Sequence, residues 1–224
     1  MNESLSRTAW PFPDLERLEG KYVRITLLNP DNDVDDLYEV SHAREEYKSL
    51  WKYMHAGPFS DKNSMHSWLS ERNRREGDRF YSVLSKDMQK KVGMFGIMNI
   101  STIDGRAELG TIWYSPMVQK TRVNTEVTYL FLRYLFNDLK YRRIEWKCDD
   151  QNESSKRTAS RMGFSYEGLF RQHMAVKGRN GNTVWFAMID SEWPERKANF
   201  EQFLTGENVS LTQLNSSLLS PEHK

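Results

Sequence analysis

The sequence predicts a mixed α/β domain with a largely antiparallel sheet, and three observations carry that expectation. Apolar periodicity switches between strand-like and helix-like spacing in the order strand, two helices, three strands, helix, strand, helix, two strands. The three consecutive strands are separated by short turn signals, which predicts a meander and not a doubly wound parallel sheet. In 224 residues, 38% hydrophobic and 12% aromatic side chains supply the core of one large domain.

Each element has its own signal. Tyr22–Leu27 alternates like a strand. Asn32 or Asp33 caps a helix through about Lys48, with Val34, Leu37, Tyr38 and Ala43 near helical spacing. A second helix over Asp61–Arg75 aligns Met65, Trp68, Leu69 and Arg72 and stops at Gly77. Phe80–Ser85, Val92–Ile100 and Arg106–Tyr114 form the meander, turning at Asp87–Lys90 and Ile103–Gly105. Val127, Leu130, Phe131, Tyr134, Leu135 and Leu139 mark the buried stripe of a long helix. Arg143–Cys148 reads as a strand and Glu153–Met162 as a helix closed by Gly163. Ser165–Met174 and Thr183–Ile189 make a closing hairpin across Lys177–Asn182, and Pro194 opens a last helix over Glu195–Leu204. Residues 1–13, with Trp10-Pro11-Phe12-Pro13, read as an extended arm; residues 14–205 form the domain; residues 206–224, rich in Ser, Asn and Glu, read as a flexible tail, either disordered or a loose helix.

Composition excludes several classes. Thirty-two basic against 31 acidic residues give a net charge of +1, without the concentrated basic excess of a nucleic-acid binder. Cys148 is the single cysteine, so neither a disulfide framework nor a thiolate metal cluster is expected, and no metal site is suggested. No apolar run approaches the roughly 20 residues that span a bilayer, and no signal-peptide core is seen, so the expected address is cytoplasmic. The chain is expected as a monomer or a homodimer.

From Arg106 to Pro194 a series of separated pieces occurs in order: Glu108-Leu109-Gly110-Thr111-Ile112-Trp113-Tyr114-Ser115-Pro116, Val123-Asn124-Thr125-Glu126, Arg143–Asp149, Asn152-Glu153-Ser154-Ser155, Gly163–Arg171 and Glu192-Trp193-Pro194. In order and spacing they resemble the GNAT superfamily of acyltransferases, and within it the RimJ/RimL-like group that includes the ribosomal-protein N-terminal acetyltransferases. The resemblance implies a V-split mixed sheet with helices on both faces. It also implies acetyl-CoA as acyl-donor co-substrate and transfer of its acetyl group to an amine in a direct ternary complex. The amine is a protein N terminus, a polyamine or another small primary amine.

The resemblance assigns expected roles by position. Gln119, Lys120, Thr121, Arg122 and Val123, with Asn124 or Thr125 opening the long helix, hold the pyrophosphate, where free amides and a helix dipole face an anion. The loop lacks the glycines of many relatives; Lys120 and Arg122 offer charge instead. The main chain of Trp113 and Tyr114 lies along the pantetheine arm as a strand would. Asn152 bonds that arm, and Ser155, with Ser154 as second choice, protonates the departing thiolate. A general base must deprotonate the amine. The glutamate that ribosomal-protein enzymes carry after the Glu-Gly pair is absent, because His173 and Met174 stand there. Glu108, Glu126 and His173 remain as alternatives, with Glu126 also suited to the helix dipole. Trp51, Tyr53 and Phe59 fall in a segment that would roof the acceptor site. A domain that kept the fold and acyl-CoA binding but lost the chemistry is the rival reading.

Overall fold

The computed structural model describes residues 7–206, 209–216 and Leu218, so the first six residues of the expected arm and part of the expected tail lie outside the described residues. Its eight strands are β1 (Arg17–Glu19), β2 (Val23–Leu27), β3 (Arg79–Ser85), β4 (Lys90–Ser101), β5 (Arg106–Tyr114), β6 (Arg143–Asp149), β7 (Ser165–Val176) and β8 (Arg179–Ile189). They form one mixed sheet in the order β1-β2-β3-β4-β5-β6-β8-β7, antiparallel throughout except where β6 runs parallel to β5. That parallel pair needs a crossover, which α3 (Val123–Arg133) provides. The other helices are α1 (Pro30–His42), α2 (Lys62–Asn73), α4 (Glu153–Arg161), α5 (Trp193–Thr205) and α6 (Leu211–Ser216).

Differences from the expected boundaries have local causes. Helix α1 opens earlier than expected because the Asn29 side chain accepts from the Asn32 amide and Pro30 sits in the first turn. It ends at His42 and not near Lys48. Arg44 is extended (φ −132°, ψ 147°), and the chain resumes as a 3-10 segment over Glu45–Trp51. The long helix keeps its stripe but widens into a π turn at Tyr134–Asp138, where the Leu139 amide reaches back to the Tyr134 carbonyl. The β7–β8 turn is tighter than expected. Lys177 and Gly178 both take positive φ, the two-residue geometry whose twist matches a hairpin. Strand β1 had no sequence signal of its own. Helix α6 lies within the segment read as a tail: Leu211 is buried, and the Asn215 amide donates to the Arg161 carbonyl (2.9 Å).

The sheet carries a core on each face. One is continuous under α3, α4, α5 and α6, where Phe131 stacks on Phe95 at 4.6 Å and Trp146, Phe186 and Met188 extend it across β6 and β8. The other, built from Leu37, Trp51, Met65, Leu69, Phe80, Met94 and Trp113, sits under α1 and α2 and covers only the β3–β5 half. On that face, β6, β8 and β7 carry no helix among the described residues. The arm is part of the fold, since Trp10 is buried and its indole N–H donates to the Lys140 carbonyl (2.6 Å).

Strand β5 does not alternate regularly as expected. Ala107 and Leu109 face the α3 core, Trp113 faces the α1–α2 core, and Tyr114 returns to the α3 core. The phase changes at Thr111, held at φ +50°, where the register with β4 also shifts. An extra residue in one strand of a pair sends everything beyond it to the other face.

Candidate active site

Strands β5 and β6 pair from Arg106↔Arg143 to Leu109↔Trp146 and then part. Beyond that point Gly110–Tyr114 stays with β4, while Lys147–Asp149 stays with β8. The result is a V-shaped opening through the sheet, with unpaired main chain along one edge of β5. Helices α3 and α4 begin beside this opening on one face, and the uncovered wing lies on the other.

On the helical face, the first turn of α3 keeps unused donors. The Val123 amide bonds Thr121 Oγ1 (3.3 Å) and the Glu126 amide bonds the Arg122 carbonyl (2.9 Å), whereas the Asn124 and Thr125 amides find no acceptor among the described residues. Such amides at the positive end of a helix fit an anion. The glycine-free loop makes its turn with Lys120 at φ +62°, a left-handed conformation that costs a non-glycine residue on the order of 1 kcal/mol. Gln119, Lys120 and Thr121 are exposed. Arg122 instead lies against the rings of Tyr22 (5.9 Å) and Phe203 (5.5 Å). Across the opening Asn152 caps α4 by accepting from the Ser155 amide (3.2 Å). Ser155 Oγ accepts from the Trp146 indole N–H (2.9 Å). With a lone pair so engaged, the hydroxyl can donate its proton, and the Cys148 sulfur is its present neighbour for that. Cys148 lies next to Ser155; burial pushes its thiol up, which disfavours a thiolate.

On the other face, Arg143, Glu145 and Lys147 alternate with the core residues Ile144 and Trp146. Lys147 Nζ lies 2.6 Å from Glu108 Oε2 and 3.7 Å from Glu145, and stands 3.9 Å from the centroid of the Trp185 ring. Arg143 joins Glu145 (3.0 Å) to Glu167 (2.5 Å). Those carboxylates raise the Arg143 guanidinium further above its ordinary range. Glu108 Oε2 also accepts from Asn99 Nδ2 (2.6 Å), while Oε1 has no hydrogen bond among the described residues. Space beside Oε1 depends on Gly110, whose missing Cβ would sit 3.3 Å away.

The family model described as "Acetyltransferase (GNAT) domain" matches residues 24–165. The chain belongs to the GNAT family. Its members use acetyl-CoA as co-substrate, and the V-shaped opening is where this domain departs from an ordinary sheet. The chain is 34% identical to a GCN5-related N-acetyltransferase from Brucella melitensis, covering 94% of this chain and 99% of that one with a TM-score of 0.90. A candidate GNAT-family acetyltransferase from Chromobacterium violaceum aligns over 87% of this chain and 96% of its own, with 31% identity and a TM-score of 0.80. Among curated proteins, YdaF of Bacillus subtilis (strain 168), named as a candidate ribosomal N-acetyltransferase, is 23% identical over 80% of this chain and 97% of its own length. No helix among the described residues is long and apolar enough to cross a membrane.

Within the GNAT domain the remaining expected residues fall as follows. The side chains of Trp113 and Tyr114 are buried in opposite cores, which leaves only their main chain toward the opening. Tyr114 O–H is buried without a partner, and burial drives its pKa well above the ordinary phenol value. His173 lies on the outer strand β7, sharing a hydrogen bond with Thr183 Oγ1 (2.9 Å) beside Phe170 and Trp185. Glu126 does more than face the dipole: its carboxylate accepts from the amides of Lys21 (2.7 Å), Tyr22 (2.7 Å) and Val23 (2.9 Å). A Cβ at Gly20 would collide with that carboxylate at 2.4 Å. Glu126 is thus committed to tying β2 to α3. Trp51 is core, packed edge-on to Phe59 (5.1 Å) and Trp68 (5.8 Å), and Lys177 Nζ donates to its carbonyl (2.6 Å). Sequence reasoning missed Trp146, Lys147, Trp185 and Asn99. Its available signal was the charged triplet Arg143, Glu145, Lys147 at every second position of an interior strand, which a purely apolar core would not tolerate.

Proposed function

We propose that the chain transfers the acetyl group of acetyl-CoA to a primary amine by a direct ternary-complex mechanism, with the amine and acetyl-CoA meeting in the opening between β5 and β6. The observation that carries this reading is the pairing of functions across that opening. A carboxylate oxygen without a hydrogen bond among the described residues, Glu108 Oε1, lies on one face, and a hydroxyl able to donate its proton, Ser155, on the other.

The amides of Asn124 and Thr125, with Gln119, Lys120, Thr121, Arg122 and Val123 around them, hold the diphosphate. The Asn152 side chain and the unpaired main chain of Trp113 and Tyr114 hold the pantetheine amides. When bound, acetyl-CoA supplies an activated acyl group. Glu108 accepts a proton from the attacking ammonium, directly or through water, because only the neutral amine has a lone pair to attack with. Ser155 gives a proton to the departing sulfur. His173, two strands out from β6, is the alternative base. The acceptor class follows the RimJ/RimL-like resemblance and the name of YdaF only in outline: a protein N terminus, a polyamine or another small primary amine. The cytoplasm, as monomer or homodimer, is the proposed setting.

The test is a thiol-release assay with acetyl-CoA over an amine panel, paired with calorimetric titration of acetyl-CoA and CoA. Turnover with at least one amine is expected. Tight CoA binding without turnover across peptides and small amines would favour the non-catalytic rival. The base is read from the pH–rate profile. Glu108→Gln should remove its acidic limb, whereas loss of that limb in His173→Gln alone would transfer the role to His173.

A further inference from the structure

Lys147 is not absorbed by the proposed mechanism, yet it is the first residue of β6 beyond the last pair with β5. Its side chain is only 16% exposed. The ammonium is surrounded by the groups that recognise an amine: two carboxylates, Glu108 and Glu145, and the face of an indole, Trp185. The box is built and buried. The Glu108 and Glu145 side chains are 10% and 7% exposed, Asn99 fixes Glu108, and Arg143 fixes Glu145. An ion pair made only for stability would not need to sit at the mouth of the opening, and a buried pair is weak support for stability in any case.

We propose that the Lys147 ammonium fills an amine-recognition box beside the transfer site and so acts as a specificity determinant that rejects acceptors bringing a second positive charge. This rests on the reading of the β5–β6 opening as the site of transfer. A monoamine loses its charge on deprotonation and meets no fixed repulsion. A diamine of moderate length must bring its far ammonium toward Lys147, where the attractive partners are already taken. The opening thus selects for amines whose remainder is neutral or anionic, and against polyamines. Lys147 does not touch the reacting atoms in this scheme.

The experiment compares pentylamine with 1,5-diaminopentane in the wild type, Lys147→Met and Lys147→Arg. Acetylation by thiol release is measured beside calorimetric binding of each amine to the CoA-saturated protein. Lys147→Met vacates the box, so binding of the diamine should tighten by about ten-fold or more, and its kcat/KM relative to pentylamine should rise by a similar factor. Lys147→Arg retains the charge and should keep the wild-type ratio. Should Lys147→Met fail to fold with two carboxylates left facing each other, Lys147→Gln offers them a neutral donor and takes its place. A diamine that binds the wild type and the neutral variant equally well overturns the inference, as does a ratio that falls alike in Lys147→Met and Lys147→Arg. If the neutral variant gains diamine binding while no amine is acetylated by any form, the box stands and the acetyl-transfer reading falls.

Discussion

The two faces of the β5–β6 opening are built from different materials. The helical face uses helix starts: amides left over at α3, the Asn152 cap of α4, and a serine oriented by an indole. The other face uses side chains crossing between strands, with Glu108, Glu145, Lys147 and Trp185 each on a different strand or two positions apart. Backbone geometry tolerates many sequences, so the first face can be shared among proteins that differ in most positions. Cross-strand pairs hold only while every member is present. On the reading proposed above for Lys147, the second face is where acceptors are told apart.

Four measurements break or sharpen this contrast, from largest to smallest. Glu126→Ala strips three amides of β2 and its approach of their acceptor. An orphaned buried donor costs on the order of 1 kcal/mol or more, so a loss of about 3 kcal/mol is expected. In a chain of this size that lowers Tm by roughly 6–12 °C. Glu126→Gln, which keeps an oxygen, should lose less. If both lose equally, the charge and not the hydrogen bonding secures β2, and the start of α3 depends on its side chains as much as on its main chain.

Ser155→Ala should lower kcat by about 100-fold, the lower end for loss of a proton donor, with acetyl-CoA affinity nearly unchanged. Trp146→Phe tests the same face one step removed. It retains the ring packed on Phe164 but not the N–H that orients Ser155, so about a ten-fold fall in kcat with unchanged KM for acetyl-CoA is expected. A matching loss in Trp146→Phe/Ser155→Ala and in Ser155→Ala alone would show that the indole acts through the hydroxyl. Additive losses would assign Trp146 to packing.

The smallest effect concerns the roof. His42 Nε2 accepts from the Phe59 amide (3.0 Å), Nδ1 lies 2.8 Å from Ser41 Oγ, and burial holds the imidazole below its ordinary range. A histidine with a lowered folded pKa stabilises through its neutral form. That contribution is complete above the unfolded value of about 6.5 and is lost as pH falls through the folded value. Wild-type Tm should therefore fall between about pH 7.5 and 5 by a few degrees more than that of His42→Gln. Parallel curves would show that the Phe59 amide does not depend on the ring being neutral.

What was legible in the sequence follows the same division. Helix caps, turns and apolar stripes are local, and α2, α4 and the meander fall close to where they are expected. The segments of the helical face could be found because they are contiguous stretches such as Asn152–Ser155. The Glu108–Lys147 pair is separated by 39 positions in sequence and arises only from the parallel register of β5 with β6, which periodicity does not encode. The phase change at Thr111 was hidden for a different reason. Threonine is an ordinary strand residue, and its left-handed backbone is imposed by the pairing with β4, not by local preference. Helix α6 is readable from sequence only as a loose helix or disorder because its apolar side is too short to stand out; tertiary contacts through Leu211 and Asn215 hold it.

That change of phase makes β5 two half-strands joined out of step, and this bears on how the domain can drift. A point substitution at any one position is absorbed by one core alone. A single-residue deletion at Thr111 would remove the extra residue and restore strict alternation, with Trp113 still beside Trp51 and Tyr114 still in the α3 core. A strand that straightened with Thr111 kept would instead exchange the two rings, an indole entering beside α3 and a phenol beside Trp51. Neither ring has a volume-matched place on the far side. The extra residue and the half-strand beyond it therefore have to travel together, and chimeras between relatives should cross over elsewhere than between Gly110 and Trp113.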